Sequence, residues 1–593
     1  MNNSAGRRVY PKNRNSEDVF VATRGTTPLR MGLADANFVP PADSRRRGTT
    51  EHRSFRVAAL VLCAYALATI PFFLAAFPPV MDFPNHLTRI WLLAGGAQIA
   101  PLSSIYEVRW WQASTNVGVD FVSTALAHAL PLAAVAKILL LASFLAPPLG
   151  AVFLNRALFG RFDIWHLAGI ALIWSTTAVT GLLSYQIGLA AALFCAVATR
   201  RIIAQLTPVG LLIIGALAAI LITIHPFATL FFLLLATALI LGERIPFPIP
   251  RAWLSDRLRR IAMVAAACLV PVAVLLVLSP HPPGDNGIHS HFVYWQRLKD
   301  ILAPKDIPLL LMSPFLSYKV VLDLAAALPV FGVVIWAAFT RRLRVHAGLL
   351  AAAALLLLVT PALPMNLGDG GALPIRFPIM AALMALAGLR PAFPTPRSQA
   401  TLAAVLISAT ALRVASIGWI WRERAKDAED LYTVTEKLPP GAAVLVLQQK
   451  WGDKVPLGRL VAGFPGATCA SERHFASLAV MWRHVFVPTM FTVPGQQPLG
   501  VKPDWRSRAV YASGVPFVED IGLPSVQKSE PYVIDWRDKF DYVLVLDADY
   551  ARSNLNGTRL VADHGFARLF QVVRSARAAA RPPLPVRFSS LSQ

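Results

Sequence analysis

The stretch Thr207–Arg244, TPVGLLIIGALAAILITIHPFATLFFLLLATALILGER, decides the fold class. From Thr207 to Gly242 it holds no Asp, Glu, Lys or Arg. A bilayer's hydrocarbon core takes about 20 helical residues, so one continuous helix of this length would overshoot it. His225-Pro226 divides the stretch near its middle. Proline cannot continue a helix, so the two runs, 208–224 and 226–242, are predicted to form a helical hairpin.

Further apolar runs fall at about 56–78, 124–153, 164–181, 183–199, 261–279, 318–340, 345–361, 373–390 and 399–421, making eleven with the hairpin. They are continuous rather than alternating, which excludes an outer-membrane barrel. The 593 residues are 55% hydrophobic and 15% charged, whereas a soluble chain carries about 25% charged residues. We therefore expect an α-helical polytopic membrane protein of about 11 transmembrane helices with a small α/β C-terminal domain. Residues 1–55 read as a disordered basic cytoplasmic tail, 56–421 as the transmembrane domain, 422–575 as an extracytoplasmic α/β domain and 576–593 as a disordered tail. The polar N-terminal stretch is too long for a signal peptide, so the first span reads as an uncleaved anchor. In the last block, PPGAAVLVL, FDYVLVLDADY and FARLFQVVR read as strands, and RERAKDAEDLYTVTEKL as a polar helix continuing the final span.

The net charge of +23 reads as topology. Alternate breaks hold fourteen cations (Arg156, Arg161, Arg200, Arg201, Arg244, Arg251, Arg257, Arg259, Arg260, Arg341, Arg342, Arg344, Arg390, Arg397) against Asp163, Glu243 and Asp256. The other breaks hold seven cations and seven acids. Lys and Arg mark cytoplasmic loops, so the first set is expected inside and the C-terminal block outside. This distribution excludes a nucleic-acid footprint. The expected location is a bacterial-type inner (plasma) membrane.

Polar groups beside spans are costly, so their placement carries information. They gather in the outer loops: Asp82, Asn85, His86 and Arg89 after the first span, Tyr185 and Gln186 at a hairpin, His225 at another, and Asn366, Asp369 and Arg376 near a late span. His281, His289 and His291 share a loop without metal-site spacing, and Asp547 and Asp549 read as a strand-end turn rather than a metal pair. Cys469 is the one cysteine of the C-terminal block and cannot form a disulfide within it. No metal site or other cofactor is expected.

The span count, Asp82 in MDFPNHLTR, His225 in ITIHPFATLFF, Arg376 in LPIRFPIMAAL and the α/β tail together resemble the GT-C glycosyltransferase superfamily. These are polyprenyl-phosphate-sugar-dependent enzymes that include protein mannosyltransferases and lipid A aminoarabinose transferases. The resemblance covers roughly residues 56–450, and Phe83 stands where the family often has a second acid. It implies a membrane-embedded enzyme that takes a polyprenyl-phosphate-linked sugar among the membrane lipids and serves a glycan, lipid or protein acceptor. A phosphate leaving group needs cations rather than a general acid, and one carboxylate suffices as base for inversion. Asp82 is the candidate base, with Arg376, His225 and Lys319 as the donor-phosphate clamp. Asn85, His86, Arg89 and Tyr185 are candidates for the acceptor pocket. A transporter or flippase of lipid-linked sugars is the alternative and would draw on Lys137, Asp323 and Arg413, within or beside spans. A non-catalytic membrane scaffold is a third reading.

Overall fold

The computed structural model describes residues 44–278, 306–364, 371–452, 455–464, 470–510, 514–550 and 555–574. His281, His289, His291, Asn366, Asp369 and Cys469 lie outside the described residues, as does nearly all of both expected tails. Residues 54–593 form one unit and residues 1–53 another. The first helix already starts at Ser44, within the stretch expected to be a disordered tail.

The helices are α1 (Ser44–Leu67), α2 (Phe83–Leu93), α3 (Val117–Ala129), α4 (Leu132–Phe159), α5 (Thr176–Val179), α6 (Leu183–Gln205), α7 (Pro208–Ile224), α8 (Pro226–Leu241), α9 (Arg251–Leu278), α10 (Asp306–Leu311), α11 (Val320–Phe339), α12 (Ala347–Val359), α13 (Leu373–Gly388) and α14 (Pro396–Thr435). Among the described residues, six helical stretches are long and apolar enough to cross a membrane: Phe55–Phe73, Leu132–Phe159, Leu183–Gln205, Arg251–Leu275, Val320–Phe339 and Pro396–Thr435. Shorter apolar helices such as α7, α8 and α13 complete the bundle. The chain is a multi-pass, mainly helical membrane protein. The hairpin forms as expected: α7 ends at Ile224, and His225 caps α8 by accepting the Phe227 N–H at Nδ1.

Two expected spans differ. The run 124–153 breaks at Leu130-Pro131, giving the end of α3 and then α4. The run 164–181 forms a 3-10 helix, Ile164–Leu172, followed by the single turn of α5. A Cβ on Gly169 would come within 2.2 Å of the Tyr65 hydroxyl, so the tip of that side chain packs directly on the glycine backbone. Ser175 then caps α5 and starts a new turn. Backbone that departs from the α-helix survives at membrane depth only where protein encloses it. Ile164–Thr180 meets that condition, being buried almost throughout.

The alternate breaks found in the sequence occupy opposite ends of the bundle. At one end, Arg390 meets Asp163 at 2.7 Å and donates to the Phe159 carbonyl at 2.6 Å. Ala347 N–H bonds Glu243 O, and β2 (Leu343–Val345) pairs antiparallel with β3 (Leu389–Pro391). At the other end gather Asp82, Thr180, Tyr185, His225, Tyr318, Arg376 and the C-terminal block. The Tyr318 hydroxyl donates to Pro79 O at 2.7 Å, and Thr176 donates to Ala462 O at 2.7 Å.

The C-terminal block holds a four-stranded sheet in the order β4 (Val444–Gln448), β6 (Tyr542–Leu546), β8 (Ala567–Val572), β7 (Thr558–His564). β4 and β6 run parallel, and the other two pairings are antiparallel. β4, β6 and β8 are the three strands read from the sequence. The polar helix also follows as expected, as the C-terminal part of the 40-residue α14. The core of this block draws on a distant stretch: Leu92, Leu93, Leu102, Ile105 and Tyr106 pack with Leu431, Val444 and Phe486. β1 (Tyr106–Val108) also pairs antiparallel with β5 (Leu499–Val501). The loop after the first span is thereby built into the C-terminal block.

Candidate active site

Asp82 stands at the N-terminus of α2, where Pro84 starts the helix without needing an N–H partner. An Asp here usually caps the helix, yet its carboxylate makes no capping hydrogen bond. Its backbone is clamped instead: Met81 N–H bonds Val179 O at 3.1 Å, and Asp82 N–H bonds Thr180 O at 3.0 Å. Gly181 closes this contact with φ +84°, and a Cβ there would sit 2.8 Å from the Asp82 nitrogen. Only glycine fits both constraints.

The C-terminal block holds α2 from the other side. The Asn85 side chain donates to Thr489 O at 2.7 Å and accepts from the Phe491 N–H at 2.9 Å. Thr88 donates to Ser477 O. This docking brings His474 Nε2 to 3.5 Å from Asp82 Oδ1. Burial pushes the Asp82 carboxyl up to about 7, and nearby Arg473, Arg376 and Arg89 pull against that rise. Burial, with Arg473 beside it, brings His474 down to about 3, so the ring is neutral near pH 7.

Arg376 lies in the first turn of α13. Its Nε and Nη2 donate to the Gly371 carbonyl at 3.1 and 2.9 Å. Its guanidinium carbon lies 4.9 Å from the Tyr185 ring centre and 5.3 Å from that of Phe227. The Tyr185 hydroxyl donates to the Arg376 carbonyl at 2.6 Å. Arg376 Nη1 and His225 Nε2 are 3.0 Å apart. His225 Nδ1 already accepts the Phe227 N–H. Burial and then Arg376 hold this imidazole well below its ordinary pKa, so it is neutral. A guanidinium can only donate, so both ring nitrogens face an N–H, Nδ1 that of Phe227 and Nε2 that of Arg376. A neutral imidazole offers one acceptor nitrogen, so one of these donors is in excess, an arrangement suited to an anionic oxygen.

The structure thus brings Asp82, His225 and Arg376 to one end of the bundle, with Arg376 close enough to act electrostatically on Asp82. Other candidates take different places. Tyr185 lies beneath Arg376 rather than in a separate pocket. Asn85 is fully buried, and both ends of its amide are engaged in docking the C-terminal block. Arg89 is a buried partner of Asp120 at 2.7 Å and reaches His86 Nδ1 at 3.0 Å. No described hydrogen bond engages His86 Nε2. Lys319 is exposed where α11 begins, and no described contact ties it to Arg376, His225 or Asp82. The site residues that the sequence reading missed are Arg473, His474 and Phe491. Phe491 lies edge-to-face between the rings of His86 and His474, at 5.5 and 5.1 Å. The one local signal was the cluster Glu472-Arg473-His474 in an otherwise mixed domain.

No family model matches the sequence, and no curated protein does. Among solved structures, the chain is similar to ArnT from Cupriavidus metallidurans bound to undecaprenyl phosphate, at 13% identity and a TM-score of 0.46. That match covers 89% of this chain and all of ArnT. The apo structure of the same protein matches at 12% identity and a TM-score of 0.43, over 90% of this chain and all of ArnT.

Two further groups of charges are held structurally. Asp547 and Asp549 lie 3.3 and 2.6 Å from Arg459. The charges beside or within spans are also engaged. Asp323 accepts from Ser317 N–H and Oγ and faces Arg413 at 3.5 Å, while Arg413 donates to the Phe315 and Trp174 carbonyls. Lys137 donates to the Ala75 and Phe72 carbonyls.

Proposed function

We propose that the chain is an integral-membrane glycosyltransferase that moves a sugar from a polyprenyl-phosphate donor to an extracytoplasmic acceptor. The observation that carries this reading is the pairing of a buried, unengaged carboxylate with the excess donor at Arg376 and His225. In the reaction the acceptor hydroxyl attacks the anomeric carbon and Asp82 takes its proton. The bond from that carbon to the phosphate oxygen breaks on the opposite face, so the configuration inverts. The electron pair leaves on the polyprenyl phosphate, whose charge is met by Arg376 Nη1 beside His225. A base with a pKa of about 7 is matched to work near neutral pH. His86 faces the acceptor side.

In this reading the Arg-rich end is cytoplasmic and the site lies at the outer leaflet of a bacterial-type plasma membrane. The division into a membrane domain, 56–421, and an outer domain, 422–575, is part of the same proposal. A transporter or flippase is disfavoured because Lys137, Asp323 and Arg413 are already bonded within the bundle.

Undecaprenyl phosphate added to the purified protein should raise its thermal unfolding temperature. Arg376→Ala should abolish that shift while Asp82→Asn retains it. No shift with the native protein, or an equal shift with Arg376→Ala, would overturn the reading.

A further inference from the structure

We infer that His474, supplied by the C-terminal block, is a positioning residue for Asp82. Its Nε2–H donates to Oδ1 during turnover and aims Oδ2 at the acceptor hydroxyl. This deepens the glycosyltransferase reading and rests on it.

Three observations converge. First, Asp82 sits at a helix N-terminus yet makes no cap, so nothing local orients its carboxylate. Second, His474 Nε2 stands 3.5 Å from Oδ1, the long limit of a hydrogen bond. Catalytic hydrogen bonds are commonly long in the free enzyme and tighten when substrate binds. Third, His474 Nδ1 is buried and has no partner, so the ring's other nitrogen is not spent on a structural bond. A histidine kept only for packing would be expected to satisfy it.

The ring is itself fixed. Phe491 lies edge-on to it at 5.1 Å, and the Phe491 backbone N–H is bonded to Asn85, on the helix that Asp82 begins. Ser477 Oγ donates to the His474 carbonyl at 2.6 Å. The charged and titratable groups around the pair are Arg89 and His86 on α2, Arg376 on α13, and Arg473 beside His474 itself. The three arginines favour the carboxylate by charge alone. The histidine adds direction, which a point charge cannot supply.

A hydrogen bond to the ionised carboxylate favours ionisation, so its loss moves the Asp82 titration to higher pH. The experiment compares native protein with His474→Ala, His474→Gln and His474→Asn. Infrared titration of the protonated carboxyl band that disappears in Asp82→Asn reads Asp82 without any need for substrate. The band's midpoint should rise in His474→Ala and His474→Asn. It should return toward native in His474→Gln, whose amide nitrogen can stand near the Nε2 position. The acid limb of transfer activity should move to higher pH in parallel, with kcat reduced about 10-fold or more and binding of undecaprenyl phosphate unchanged. An unmoved midpoint in His474→Ala, or equal behaviour of the Gln and Asn variants, would overturn the inference. Native protein that neither binds undecaprenyl phosphate nor transfers sugar would overturn the functional reading instead, and the infrared result would still judge the Asp82–His474 bond.

Discussion

Two clusters of buried charge lie side by side, joined by the segment Glu472-Arg473-His474, and they are built on opposite principles. Around Arg459 the acids outnumber the cation and touch it: Asp549 at 2.6 Å, Asp427 at 3.0 Å, Asp547 at 3.3 Å and Glu472 at 3.6 Å. Around Asp82 the cations outnumber the acid and no described ion pair joins them to it. Arg89 is taken by Asp120, and Arg376 is turned to Gly371 and His225. Both clusters lift carboxyl pKa values through burial, Asp547 to about 6 and Asp82 to about 7. The difference lies in what each carboxylate is free to do. One set is held in contact and fixes the architecture, and in the other the carboxylate makes no described ion pair with the arginines around it.

The sharpest way to break this comparison is Asp82→Asn. Removal of a general base costs about 10²–10⁴-fold in rate, so release of undecaprenyl phosphate from its glycosides should fall by that factor. Its thermal stability should not drop. A fall in stability with little loss of rate would place Asp82 with the architectural group. Arg459→Met should do the reverse. Breaking a buried pair typically costs about 3–5 kcal/mol, and thermal unfolding in detergent should show a large decrease. Next in size, Arg376→Ala should weaken binding of undecaprenyl phosphate roughly 10- to 100-fold, the loss expected for charge-assisted hydrogen bonds of about 1.5–3 kcal/mol.

The two clusters should also differ in their response to pH. On the proposed mechanism transfer should rise with pH through about 7, since only an ionised Asp82 would take the acceptor's proton. Asp547 works through stability. Its folded pKa lies above the unfolded value, so the folded state binds the proton more tightly, and stability falls as pH rises from about 4 to about 6. Asp547→Asn should therefore gain stability relative to native protein above about pH 6 and lose that advantage below about pH 4. The measurement is the difference in unfolding temperature across that range.

Much of this plan was legible in the sequence because hydropathy and charge are local. The break at His225-Pro226 made a hairpin, the Arg-rich breaks gathered at one end, and PPGAAVLVL became a strand. The 164–181 run escaped because hydropathy reports transfer out of water and is silent on backbone geometry. Gly169 against Tyr65 is a tertiary constraint that no window of sequence reveals. In the site, Asp82, His225 and Arg376 stood out as polar groups among apolar ones. His474 and Phe491 did not, since ordinary composition surrounds them and about 400 residues separate them from Asp82. Lys319 shows the converse, a cation at a span end that the structure leaves exposed and with no described contact to Asp82, His225 or Arg376.

The 40-residue α14 runs unbroken from the Arg-rich end of the bundle into the C-terminal block. At 1.5 Å per residue it is a rod of about 60 Å. A rod of this kind works as a ruler: it sets both the distance of the block from the bundle and the direction the block faces. Four residues inserted near its polar half would lift the block by about 6 Å and turn it by about 40°. Such a shift would pull the block from the loop after the first span, which completes its core and carries Asp82, so His474 would no longer reach it. The length of this one helix therefore bears directly on whether the C-terminal block can hold His474 beside Asp82.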